Sequence, residues 1–83
     1  MSGKYEGKTF ADLEVKDRIE YNGREYDTWE VEIEPGWLVK FADMALLKAA
    51  DERGDSMARV DSTVRAHAWP TEKVENVIEE FLD

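Results

Sequence analysis

Residues 29–34 read Trp29-Glu30-Val31-Glu32-Ile33-Glu34, a strict alternation of large apolar and acidic side chains. Successive side chains of a β-strand point to opposite faces of a sheet, so this stretch predicts a half-buried strand with its apolar residues in the core. The glutamates then form a row of negative charge about 14 Å long on the other face. That row is either an ordinary solvated face that protects an edge strand, or a surface that meets a basic partner.

The residues before this stretch predict its partner strand. Two runs flank Asn22-Gly23, so residues 13–33 are expected to form a β-hairpin. A two-residue turn there mixes core and solvent faces, whereas a three-residue bulged loop, residues 21–23, pairs Val15 with Trp29. The bulged loop is therefore the predicted connection, because it keeps the apolar residues on one face.

A central helix is predicted near residues 42–53. The segment is rich in Ala, Leu, Met, Lys and Glu, with Asp43 as a possible N-terminal cap and Gly54 at the expected C-terminus. After Gly54, residues 57–60 and 63–69 are expected to be extended.

The last helix is predicted over residues 70–82. Its apolar residues recur at helical spacing and form one stripe: Val74, Val77, Ile78, Phe81 and Leu82. Its outer face carries Glu75, Glu79 and Asp83 four apart, beside Glu80. Like charges at this spacing, at the negative end of the helix dipole, destabilise the helix. An arrangement of charges that destabilises the helix, with no visible compensating stabilisation, indicates either a functional face or a face that serves only solubility.

Together these elements predict an α+β fold. It has an antiparallel sheet with an N-terminal β-hairpin, one central helix and one C-terminal amphipathic helix, with the helices packed on one face. Residues 1–83 are expected to form a single small domain, with residues 1–12 partly flexible.

A second fold is implied by a resemblance. The stretch Thr9-Phe-Ala-Asp-Leu-Glu-Val-Lys-Asp-Arg-Ile-Glu-Tyr-Asn-Gly-Arg-Glu-Tyr26 resembles the opening of short phage-encoded proteins with a small SH3-like barrel. The resemblance implies a small SH3-like β-barrel plus a C-terminal helix, in which residues 45–50 are a strand. It also implies a viral setting, since such proteins include virion parts and inhibitors of host enzymes. In size and acidity the chain also resembles phage-encoded anti-CRISPR and anti-restriction inhibitors.

The acidic excess is concentrated at the two ends of the chain. The 83 residues include 20 acidic and 11 basic side chains, a net charge of −9, which divides into −5, 0 and −4 over residues 1–36, 37–69 and 70–83. This balance argues against direct binding to nucleic acid or an anionic membrane. The absence of cysteine excludes a disulfide scaffold, and no apolar run is long enough to span a membrane. The sequence thus predicts a soluble cytoplasmic protein, in the host cytoplasm if viral.

No catalytic motif is evident. The single histidine, His67, has no second histidine or cysteine with which to form a dyad or a metal site, and it is interpreted as a surface or half-buried strand residue. Neither a nucleophile elbow nor a glycine-rich phosphate loop occurs. The sequence therefore predicts a protein that is not an enzyme and that has no metal or cofactor.

The functional hypothesis is a small acidic protein-binding module, a phage-type inhibitor that occupies a basic nucleic-acid-binding surface of a partner protein. The predicted partner-binding residues are Glu30, Glu32, Glu34, Glu75, Glu79, Glu80, Asp83 and Trp69. Trp69 is either an exposed anchor or a lid on the core. The alternative is a structural or adaptor module of a viral particle or assembly that associates through Trp37 and Trp69, with acidity serving solubility. A third possibility is host adaptation, in which the acidic residues serve solubility in high salt and indicate no partner. The sequence leaves the oligomeric state open.

Overall fold

A four-stranded sheet forms the centre of the computed structural model, which describes residues 4–82. Strands β1 (Asp17–Tyr21), β2 (Arg24–Glu34) and β3 (Trp37–Asp43) form an antiparallel meander, and β4 (Ala66–Ala68) pairs with β3 in parallel. The strand order is β1-β2-β3-β4, and the sheet is not closed. The α+β fold class is confirmed, with a mixed sheet because its last strand is parallel.

The helices are a 3-10 helix (Phe10–Asp12), α1 (Met44–Arg53), α2 (Met57–Val60) and α3 (Val74–Leu82). The predicted central helix is confirmed as α1. The side chain of Asp43 accepts a hydrogen bond from the Ala45 N–H at 2.9 Å, and Gly54 ends the helix with a φ of 79°. None of these helices within residues 4–82 has the length and apolarity to cross a membrane.

The prediction of an extended segment at residues 57–60 was wrong, because these residues form the helical turn α2. Parallel neighbours such as β3 and β4 need a crossover connection, and α1 and α2 supply it. The turn places Met57 and Val60, three residues apart, against the same apolar cluster.

The sheet is buried on both faces at its centre. In β2, Thr28 and Trp29 are both buried although they point to opposite faces, and they lie opposite the buried residues Ala42 and Phe41 of β3. One face is covered by the 3-10 helix and α3, where the main cluster is Phe10, Trp29, Val31, Ile33, Val39, Phe41, Ala68 and Val74. The other is covered by α1, with Ile19, Tyr26, Ala42, Leu46 and Val64. The helices α1 and α3 therefore lie on opposite faces of the sheet, and the prediction of one shared face was wrong.

This second buried face also explains the turn of the hairpin. Tyr21 pairs with Arg24 across a two-residue turn in which Asn22-Gly23 has positive φ angles of 53° and 81°. The three-residue loop was the wrong prediction, because it assumed that only one face is buried. The observed register pairs Ile19 with Tyr26, and both are buried against α1.

The segment before β1 runs along the entry to α3. Lys8 C=O accepts a hydrogen bond from the Val74 N–H at 3.0 Å, and the Ala11 N–H donates to Pro70 C=O at 2.9 Å. Between them, the Phe10 ring is fully buried among core aromatics. These contacts place residues 4–5 beside the end of β2, where the candidate site lies.

Candidate functional site

A groove of about 440 Å³ lies between the end of β2 and helix α3. Its lining includes the apolar side chains Ile33, Pro35 and Ile78. The acidic and basic side chains that line it are Glu32, Glu34, Glu75, Glu79 and Lys4. The lining of the groove therefore combines apolar side chains with four carboxyl groups and one ammonium group.

A β-bulge directs Glu34 into this groove. The register of β2 and β3 shifts between Glu32 and Glu34, so that Glu34 lies opposite Trp37. The ring of Trp37 packs edge-on against Phe81 of α3, with ring centroids 5.5 Å apart. Directly opposed residues share a face of the sheet, so the bulge turns Glu34 toward α3. The predicted straight row of glutamates is consequently broken at its last member.

Helix α3 contributes the opposite wall. Its apolar stripe packs on the core through Val74, Val77, Ile78 and Phe81. This packing fixes the rotation of the helix and places Glu75 and Glu79, one helical turn apart, along the groove.

The segment at residues 4–5 closes one side of the groove. The Tyr5 hydroxyl accepts a hydrogen bond from the Glu32 N–H at 2.9 Å, which holds the segment against the edge of β2. The Lys4 Nζ lies 2.6 Å from Glu32 Oε1 and 5.6 Å from the centroid of the Tyr5 ring. The other Glu32 oxygen, Oε2, accepts a hydrogen bond from the Gly36 N–H at 3.3 Å.

These contacts keep the groove negatively charged. Hydrogen bonds from Lys4 and then Gly36 hold the pKa of Glu32 below its usual value, and the hydrogen bond to Glu32 raises the pKa of Lys4. Both groups are therefore ionised at neutral pH. The remaining three carboxyl groups, on Glu34, Glu75 and Glu79, form no salt bridge with any residue of the range 4–82. The groove has more anionic than cationic groups and is suited to bind a cation.

The structure brings together Glu32, Glu34, Glu75 and Glu79 of the predicted partner-binding set. Glu30 lies outside the groove, where it forms a salt bridge with Lys16 at 3.7 Å and lines a second cleft with it. Glu80 is exposed on α3 but does not line the groove. Asp83 falls outside the residues that the structure describes.

Trp69 is also separate from the groove. It lies in the turn before α3, where its backbone N–H donates a hydrogen bond to the Glu72 carboxylate at 3.1 Å. The residue is 39% exposed, and the Lys48 Nζ of α1 lies 5.8 Å from the centroid of its ring. The tryptophan beside the groove is instead Trp37, which is 42% exposed and packs on α3.

Sequence reasoning missed Lys4 and Tyr5 because it assigned residues 1–12 to a partly flexible segment. The available signal was Phe10, since a large aromatic residue so close to Tyr5 is more often buried than free in solvent. A buried Phe10 anchors this segment and places Tyr5 and Lys4 against β2.

The described part of the chain contains no group of three or more His, Asp or Glu side chains arranged to hold a metal ion. No protein-family model, curated protein or solved structure matches this chain. The functional assignment therefore rests on the chemistry of the groove.

Proposed function

We propose that this protein binds a basic surface of a partner protein through the groove between β2 and α3. The observation that carries the proposal is the convergence of Glu32, Glu34, Glu75 and Glu79, from two separate elements, on one groove that apolar side chains also line. Basic side chains have apolar stems and charged ends, and such a groove matches both parts.

The strain in α3 supports the same function. Glu79 lies near the negative end of the helix dipole and one turn from Glu75, an arrangement that destabilises a helix. A role in contacting a partner would explain why the helix carries these destabilising carboxylates.

In its specific form the proposal is a phage-encoded inhibitor that acts in the host cytoplasm and occupies a surface that its target uses for nucleic acid. Carboxylates spaced along a rigid helix can match the positive charges that contact phosphates. The protein itself performs no catalysis in this proposal.

The experiment compares three immobilised baits: the wild-type protein, the groove variant Glu34→Lys/Glu75→Lys/Glu79→Lys, and a matched control, Glu20→Lys/Glu25→Lys/Glu52→Lys. The control changes the net charge equally at exposed glutamates outside the groove. We expect the wild-type bait and the control bait to retain nucleic-acid-binding proteins, which are identified by mass spectrometry. The groove variant should not retain them, and added DNA should release them from the other two baits. Circular dichroism checks that all three baits are folded. Retention of the same proteins by all three baits would refute the proposal.

A second candidate is an adaptor that assembles through apolar contacts. It is favoured by the exposure of Trp37 and Leu38, which are 42% and 55% accessible, and of Leu82 and Trp69. Self-association through these residues would persist at high salt, whereas binding through the groove weakens. Sedimentation velocity over a salt series separates the two candidates, with Trp37→Ser as the variant that abolishes apolar assembly.

A further inference from the structure

A cation already occupies part of the groove. The Lys4 ammonium is held by the Glu32 carboxylate at 2.6 Å and lies within cation–π range of the Tyr5 ring. A carboxylate and an aromatic ring are groups that recognise a basic side chain. The chain's own lysine thus shows how a cation is bound here.

The Lys4 contact is easily exchanged. The Lys4 side chain is 64% exposed and that of Glu32 is 31% exposed, so water can replace either partner. Exposed ion pairs of this kind contribute little to stability. Tyr5, in contrast, is half-buried and packs on the core, so the segment stays anchored when Lys4 is released.

We infer that the groove binds an arginine side chain of a partner polypeptide, and that Lys4 occupies this position until the partner displaces it. The inference rests on the proposed function and adds the identity of the bound group and a self-blocking lysine. Arginine is favoured over lysine because its planar guanidinium forms two parallel hydrogen bonds with a carboxylate, whereas Lys4 supplies one ammonium. Glu34, Glu75 and Glu79 lie in the same groove and bind further basic residues of the same polypeptide.

The probe is a fluorescein-labelled peptide that alternates arginine with leucine, and the matched peptide has citrulline, which is uncharged and of the same shape, at every arginine. Binding is measured by fluorescence anisotropy to wild type, Lys4→Ala and Lys8→Ala. Lys8 is exposed in the same segment and does not line the groove, so its removal changes the net charge equally. We expect Lys4→Ala to bind the arginine peptide about two- to fivefold more tightly than Lys8→Ala does, the factor that corresponds to an exposed ion pair. The citrulline peptide should not bind.

The amide signals of Glu32 and Gly36 provide a second readout by nuclear magnetic resonance, because both amides donate hydrogen bonds within this site. They should shift on adding the arginine peptide to the wild type, and shift at lower peptide concentration in Lys4→Ala. Equal affinities of Lys4→Ala and Lys8→Ala would overturn the self-blocking role of Lys4, and equal affinities for the arginine and citrulline peptides would overturn the arginine assignment. In both cases the proposed function survives if the Glu34→Lys/Glu75→Lys/Glu79→Lys variant still loses partner proteins that its matched control retains.

Discussion

Phe10 connects the segment that precedes β1, described from residue 4 onward, to the main core. The centroid of its ring lies 5.2 Å from the ring centroids of both Trp29 and Phe41, and no part of the side chain is exposed. We expect Phe10→Ala to lower the free energy of unfolding by about 3–5 kcal/mol. Urea denaturation followed by tryptophan fluorescence measures the change. The total free energy of unfolding of a domain of this size is about 5–15 kcal/mol, so Phe10→Ala could leave too little for folding. Phe10→Leu is the milder variant for that case. A loss below about 1 kcal/mol in both variants would contradict the burial of this ring.

His67 makes stability depend on pH. Its Nε2 is buried without a hydrogen-bond partner in the described structure, and burial lowers the pKa of His67, an effect that Asp51 partly opposes. The unfolded chain therefore binds a proton more readily than the folded protein as the pH falls below about 6.5, so stability decreases there. The pKa values of Asp17 and Asp61 are lowered by hydrogen bonds from threonine hydroxyls. The contribution of these two carboxylates to stability is therefore lost only below about pH 4.

His67→Gln isolates the histidine contribution. Urea midpoints of the wild type should fall between about pH 7.5 and pH 5, whereas the midpoint of His67→Gln should stay nearly constant over this range. The same decrease in both proteins would show that another group is responsible.

At the scale of elements, substitutions in α3 distinguish an effect on partner binding from an effect on stability. Glu79 lines the groove and Glu80 does not, although both lie near the C-terminal end of the helix. Neutralising either residue removes an unfavourable interaction with the helix dipole, so Glu79→Gln and Glu80→Gln should each raise the free energy of unfolding by about 0.3–0.5 kcal/mol. Only Glu79→Gln should weaken binding of the arginine peptide. Chemical denaturation and anisotropy measure the two effects, and equal weakening of binding by both variants would argue against a localised groove.

The elements also show what local sequence could and could not predict. Helix caps and the alternation of a strand depend on residues that are close along the chain. The predicted caps Asp43 and Gly54 are confirmed, as is the burial of Trp29, Val31 and Ile33. The hairpin turn was predicted wrongly because its register depends on α1 covering the second face, a contact between distant segments. For the site, charge patterning identified Glu32, Glu34, Glu75 and Glu79. Their convergence with Lys4 depends on a bulge and on long-range docking, which spacing along the chain does not reveal.

For the whole molecule, a net charge of −9 has opposite effects on folding and on partner binding. Salt screens the repulsion among carboxylates within the folded protein, and it equally screens attraction to a basic partner. Raising the NaCl concentration to about 0.15 M, where the screening length is about 8 Å, should raise the urea midpoint and lower the affinity for the arginine peptide. A parallel salt series in both assays measures these changes. A fall in the urea midpoint would indicate that the ion pairs, such as Lys4–Glu32, outweigh the repulsion.

The hydrogen bonds between residues 8–11 and 70–74 also affect the kinetics of folding. The β1–β2–β3 meander forms from contacts that are close along the chain. The core around Phe10 and Val74, by contrast, requires closure of a loop that spans most of the chain. Closing such a loop has an entropic cost, and folds dominated by distant contacts fold more slowly. We expect the groove to form late in folding, after the meander is in place, because both the Lys4–Tyr5 segment and α3 depend on this closure.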